Sequence, residues 1–187
     1  MTIKTTDPVK SNSGMLFLAL SANILSGKTV VSREDIPSIK DKIRFIFDVQ
    51  GFKSRTTSLP WEDYLNKGQG NTPMVWAYEA QFINYAAVYG TRRGNDTMVM
   101  LYPEPGIWSN HVFMSFSEKG NRLLEALLQD PQLQKKFNEY GFRSNYQQGN
   151  YFLSYFGQKG VTLPASFDEV ASLPDYQTML ELLELFK

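Results

Sequence analysis

Three times along the chain a short apolar, β-prone segment runs into a helix-prone one. Residues 2–6 are rich in β-branched side chains and precede an apolar helix that opens near Ser11 and Ser13. Residues 74–78 form a compact apolar strand ahead of a helix over residues 79–89. Residues 111–116 form another, ahead of helices near residues 119–129 and 131–140. A further apolar strand is expected over residues 97–102, closed by the rigid break Pro103-Glu104-Pro105-Gly106. Strands that alternate with helices predict a layered α/β architecture.

Local signals mark the other elements. Ser11 and Ser13 suit the start of the first helix and Gly27 its end. Lys4 and Lys10 ahead of the apolar run 15–20 give it a faint likeness to a secretion signal. Asp7-Pro8, Ser21 and Asn23 interrupt that pattern and no small-x-small cleavage site follows, so the segment reads as a buried helix. Ser32-Arg33-Glu34-Asp35 caps a second helix, in which Ile36, Ile39, Ile43, Ile46 and Val49 form an amphipathic stripe ended by Gly51. Ser58-Leu59-Pro60-Trp61 starts a short helix that runs to Lys67. Phe82, Ile83, Ala86 and Ala87 share a face of the helix over 79–89, and residues 90–96 read as a polar loop. Residues 145–174 read as irregular, and a last helix over 175–186 buries Met179, Leu182, Leu183 and Phe186. We expect one lobe over residues 1–187, with a core over 1–144 and a helical and irregular segment over 145–187.

Composition removes several chemistries. Nineteen Lys+Arg balance nineteen Asp+Glu, so the chain lacks the basic excess of a general nucleic-acid binder. No cysteine is present, which excludes disulfides, thiolate metal sites and cysteine nucleophiles. His111 is the one histidine, so multi-histidine zinc sites are excluded and any His-based triad would have to use it. No Walker A pattern, dinucleotide glycine fingerprint or metal-ligand spacing occurs, and no cofactor is implied.

Chemistry concentrates at two strand-to-helix junctions. At the first, Thr6 and Asp7 end a strand, and Ser11, Asn12 and Ser13 open a helix. The free N–H groups and positive dipole of a first helical turn favour an anion there. Simple capping by the same Ser, Asn and Asp residues is the plainer account of the local pattern. At the second, Tyr78 offers a stacking surface, and Glu79 and Gln81 offer hydrogen-bonding groups. A Glu in a first helical turn is also favourable by itself. Trp108-Ser109-Asn110-His111 does not make a triad by proximity in sequence, and His111 reads as structural. Glu104 and Asp7 are the other acid/base candidates, but nothing in the sequence brings them together. Arg92-Arg93 reads as a solvated loop, and Asn95-Asp96-Thr97 as an incidental glycosylation pattern.

The order of these motifs resembles that of bacterial extracellular solute-binding proteins of the type 2 periplasmic-binding-protein superfamily. The branch with molybdate-, sulfate- and phosphate-binding-like proteins is the nearest. Three groups carry the resemblance: Thr6-Asp7-Pro8 with Ser11-Asn12-Ser13-Gly14; Pro73-Met74-Val75 with Tyr78-Glu79 and Gln81; and Leu101-Tyr102-Pro103-Glu104-Pro105 with Trp108-Ser109 and His111. Gly120 to Leu128, Asp130-Pro131, Gly141-Phe142-Arg143 and Leu173-Pro174 with Tyr176 extend it over most of the chain. The resemblance implies a three-layer α/β/α lobe with a mixed, mostly parallel sheet. It implies a non-catalytic clamp that holds a small, anionic solute at helix N-termini, with Ser11, Asn12, Ser13, Tyr78, Glu79 and Gln81 as contacts. Thr57, between Thr56 and Ser58 at another helix start, is a further candidate. The implied parent is a component of an ABC-type transport system or a related receptor, and the implied partners are a missing N-terminal lobe and, for a transporter, its membrane permease, with no nucleic acid. The implied location is periplasmic or extracellular, with the secretion signal absent from this chain.

Two other readings stand beside the binding module. An α/β hydrolase or transferase would need Ser, His111 and a carboxylate together, and no nucleophile-elbow pattern supports it. An interaction domain would use the aromatics Tyr146, Tyr151, Phe152, Tyr155 and Phe156, which burial in a core also explains.

Overall fold

The computed structural model describes residues 2–51, 53–93, 96–144 and 150–187. They form an α/β chain, about half of it helix. Two compact units emerge: Met1–Ala77 with Pro103–Ser109 and Glu169–Lys187, and Tyr78–Tyr102 with Asn110–Asp168.

The first unit begins with β1 (Ile3–Lys4), which pairs in parallel with β2 (Met74–Val75). Thr6 continues the line as an isolated parallel bridge to Ser54, and Gly106 makes another to Val170. Helix α1 (Asn12–Ser26) is buried on most sides, as its nearly unbroken apolar sequence requires; Leu16, Phe17, Leu18, Ala19, Leu20 and Ala22 are all in the core. Gly27 ends it at φ 68°, a left-handed conformation that glycine adopts without a Cβ penalty. A 3₁₀ turn, Arg33–Asp35, leads into α2 (Ile36–Asp48); α3 (Ser58–Lys67) follows, and α8 (Tyr176–Glu184) packs at the chain's end.

The core of this unit joins α1, α2 and α8 through Phe17, Leu18, Ile39, Ile43, Phe47 and Leu182. The α2 stripe differs from the expected one. Ile36, Ile39, Ile43 and Phe47 are buried, Ile46 packs at the margin, and Val49 is exposed. At about 100° per residue, Val49 lies roughly 220° around the helix from Ile36 and cannot share its face. Phe47 keeps the phase, and its ring meets Phe17 at 5.5 Å and Phe186 at 4.7 Å. Asn23, also buried, ties the helix to loops: Oδ1 accepts from the Val31 N–H at 2.9 Å and Nδ2 donates to the Ser172 carbonyl at 3.0 Å.

The second unit holds α4 (Glu79–Tyr89), the antiparallel pair β3 (Arg92–Arg93) and β4 (Asp96–Thr97), α5 (Glu118–Gln129), α6 (Pro131–Glu139) and α7 (Tyr151–Gly157). Its core is Ile83 and Ala86 of α4 against Phe152, Phe156 and Val161. Three expectations change here. The loop at 90–96 contributes β3 and β4; its tip, Gly94 and Asn95, lies outside the described residues. Residues 151–157 are helical rather than irregular, because Phe152 and Phe156, four apart, turn one face to the core. Tyr146 and the expected boundary at Asn145 lie outside the described residues. Residues 98–102 and 111–116 are not strands, and β2 is only two residues long. Strand propensity expresses packing on a pleated surface; beyond the Met98 N–H, which donates to the Thr91 carbonyl at 2.9 Å beside the β3–β4 pair, no neighbouring strand meets these segments among the described residues.

No helix among the described residues is long and apolar enough to cross a membrane.

Candidate functional site

The first junction lies wholly in the first unit. Thr6, fully buried, leaves the sheet at its bridge to Ser54, and the Asp7 N–H donates to the Ser54 carbonyl at 2.8 Å. The Asp7 carboxylate is turned toward its own loop, accepting from the Val9 N–H at 2.9 Å and pairing with the exposed Lys10 ammonium at 3.2 Å. The chain then turns into α1 with Ser11 at the N-cap, but Ser11 does not cap it. Its Oγ instead accepts from the Thr6 hydroxyl at 2.8 Å. The Ser11 side chain makes no cap hydrogen bond, and no acidic residue stands in the first turn of α1. The positive end of a fifteen-residue helix thus lacks the side-chain oxygen that an N-cap serine usually supplies.

Three neighbours shape this helix start. Asn12 Nδ2 donates to Ser109 Oγ at 3.3 Å. Ser13 is 1% exposed, and its hydroxyl has no hydrogen-bond partner, while its carbonyl accepts from Trp76 Nε1 at 3.1 Å. A buried hydroxyl left unsatisfied costs about 1–3 kcal/mol. Gly14 lets the helix press on the strand end: a Cβ there would lie 2.6 Å from the Thr6 carbonyl oxygen. The strand end and first turn are therefore held at backbone contact distance. Thr57 is the residue before α3, three positions after Ser54, and its carbonyl accepts from the Trp61 N–H at 3.3 Å.

The second junction belongs to the second unit, and its side chains are engaged with one another. The Tyr78 N–H donates to Gln81 Oε1 at 3.0 Å, and the Gln81 N–H donates to the Tyr78 carbonyl at 2.9 Å, so Gln81 closes the start of α4. Glu79 is held by Arg143 in a two-pronged pair, Nε to Oε2 and Nη2 to Oε1, both at 2.8 Å. The Tyr102 hydroxyl donates to Glu79 Oε1 at 2.5 Å. Arg143 also reaches the Pro164 carbonyl at 3.0 Å and lies about 5 Å from the ring centres of Phe152 and Phe167. Burial first, and then the Glu79 carboxylate, push the Tyr102 phenol above its ordinary range. A bidentate charged pair under aromatic rings is a rigid fixture. It joins the start of α4 to residues 143, 164 and 167.

Of the residues singled out from sequence, the structure brings Thr6, Asp7, Ser11, Asn12 and Ser13 together around one helix start. Tyr78, Glu79 and Gln81 form a separate group in the other unit. Ser109, Trp76, Tyr102 and Arg143 emerge as partners of these groups only in three dimensions. The ring of His111 meets Phe142 edge-on at 5.2 Å, a packing role.

No family model, curated protein or solved structure matches this chain.

Proposed function

We propose that this chain is a lobe of a non-catalytic solute-binding protein of the type 2 periplasmic-binding-protein kind, with its sheet and helices in three layers. It binds a small anion or carboxylate-bearing solute at the start of α1, and a second lobe closes over that site. It works in the periplasm or outside the cell, handing solute to the permease of an ABC-type transporter. The observation that carries this reading is the start of α1: its N-cap Ser11 makes no side-chain cap, and the buried Ser13 hydroxyl in its first turn has no hydrogen-bond partner among the described residues. Free N–H groups at a helix start are ready anion donors, and the Ser13 hydroxyl is a further donor in the same turn if the ligand reaches it as the site opens.

Thermal unfolding against molybdate, tungstate, sulfate, phosphate, carboxylates, sugars and amino acids tests it. A ligand at a hundred times its Kd adds about 2.7 kcal/mol, which raises the midpoint by about 5–10 °C in a chain of this size. Ser13→Ala is expected to abolish the rise. A flat response across the panel overturns solute binding by this chain, and a rise that Ser13→Ala keeps in full overturns the site.

A further inference from the structure

An open cavity of about 600 Å³ lies in the second unit, between one turn of α4 (residues 80–84) and α6 with the turn that follows it. That turn is fixed against α4 by backbone contacts. Gly141, at φ 84°, comes so near that a Cβ would lie 3.0 Å from Ala80 Cα. Asn84 Nδ2 donates to the Ala80 and Tyr140 carbonyls, both at 2.8 Å, and ties the helix to the turn. Leu133 and the aromatic residues Phe137, Tyr140 and Phe142 make the lining almost wholly apolar. One lining residue is charged, Lys136. Its side chain is 64% exposed, so the stem lines the cavity while the ammonium stays in water. Its bond to Glu139 Oε2 at 2.5 Å uses one of three N–H donors, and a surface pair of this kind holds the ammonium only weakly.

Extent, lining and charge point to the occupant. The volume is that of a small-molecule site, which usually encloses roughly 300–1,000 Å³. A docked peptide helix needs anchors over two turns, about 10 Å, whereas residues 80–84 offer a wall of about 6 Å. Aromatic side chains favour an aromatic body, because ring-to-ring contact adds to area burial. The single charge on the lining favours an anionic end, which the remaining N–H donors of Lys136 can bind. We infer that this cavity binds an aromatic carboxylate, with its ring between α4 and α6 and its carboxylate on Lys136, as a second site distinct from the start of α1.

Titration of the full chain with naphthoate, followed by the fluorescence of the probe itself, tests the inference. Naphthalenemethanol, with the same rings and no charge, is the comparison. Saturable binding of naphthoate is expected, roughly three-fold or more tighter than that of the alcohol. Lys136→Gln keeps most of the stem and should remove this preference. Leu133→Trp fills the cavity from a position that is 37% exposed and should remove binding of both compounds. Ser13→Ala, in the first unit, should change neither. The inference is overturned by naphthoate that shows no saturation at about 1 mM, by equal binding of the alcohol, or by a preference that Lys136→Gln keeps. Loss of naphthoate binding in Ser13→Ala also overturns it, since the anion then sits at the start of α1. Should Leu133→Trp fail to fold, as judged by circular dichroism, the Lys136→Gln comparison decides alone.

Discussion

Replacing Glu79 by Ala would strip Arg143 of its partner while leaving the guanidinium in place. The Arg143 side chain is 19% exposed, lies against Phe152 and Phe167, and keeps its bond to the Pro164 carbonyl, so it cannot simply swing into water. The Tyr102 hydroxyl loses its acceptor in the same step. Breaking a fully buried pair costs about 3–5 kcal/mol; the remaining exposure of both partners lowers that here to about 2–4 kcal/mol. Removing both charges is a different perturbation. Glu79→Leu with Arg143→Met leaves no stranded charge and should cost less than either single change, with a coupling of about 1–3 kcal/mol. Urea unfolding followed by far-ultraviolet circular dichroism is the suitable assay, because all three tryptophans belong to the first unit and their fluorescence reports on that unit. A loss below about 0.5 kcal/mol for Glu79→Ala, or strictly additive single changes, refutes the reasoning.

Other expectations follow from the same contacts. Phe47→Ala empties a site with no exposure between two rings and should cost about 3–5 kcal/mol by urea unfolding. The Tyr102 phenol is raised in the folded state, so it favours folding below the ordinary tyrosine value of about 10 and that contribution fades as pH rises beyond it. Tyr102→Phe should flatten the alkaline limb of a stability-against-pH curve. The Asp35 carboxyl is held down to about 2, first by Lys28 and then by the Ser32 N–H and hydroxyl. Its contribution is full above about pH 4 and lost as pH falls toward 2, and Asp35→Asn should remove that acid-side slope in a titration monitored by circular dichroism.

Much of the local structure is legible in single residues. Ser58 and Lys67, and Glu79 and Tyr89, bound their helices where the sequence places them, because caps, first-turn proline and terminal glycine act over one turn. Ser11 and Gly27 likewise flank α1, and the apolar character of residues 15–20 is that of a helix buried on most sides. The gathering of Thr6, Ser11, Asn12 and Ser13 at one junction is local too, since eight residues span it.

Tertiary structure decided what local chemistry leaves open. Glu79 and Arg143 are 64 positions apart, and Asn12 and Ser109 are 97; no propensity reaches across such distances. Ser11 has the chemistry of a cap, yet its hydroxyl is taken by Thr6 once the strand end packs on α1. Phe47 rather than Val49 enters the core because helical phase, not apolar character alone, selects the buried face. Residues 99–102 and 111–116 carry strand-like side chains without strand hydrogen bonds among the described residues, because a strand exists only with a partner on its edge. The sequence by itself determined where helices begin and end and which side chains seek burial; which backbone edges and charged groups meet was decided only by packing, since those contacts join residues that the chain order keeps far apart.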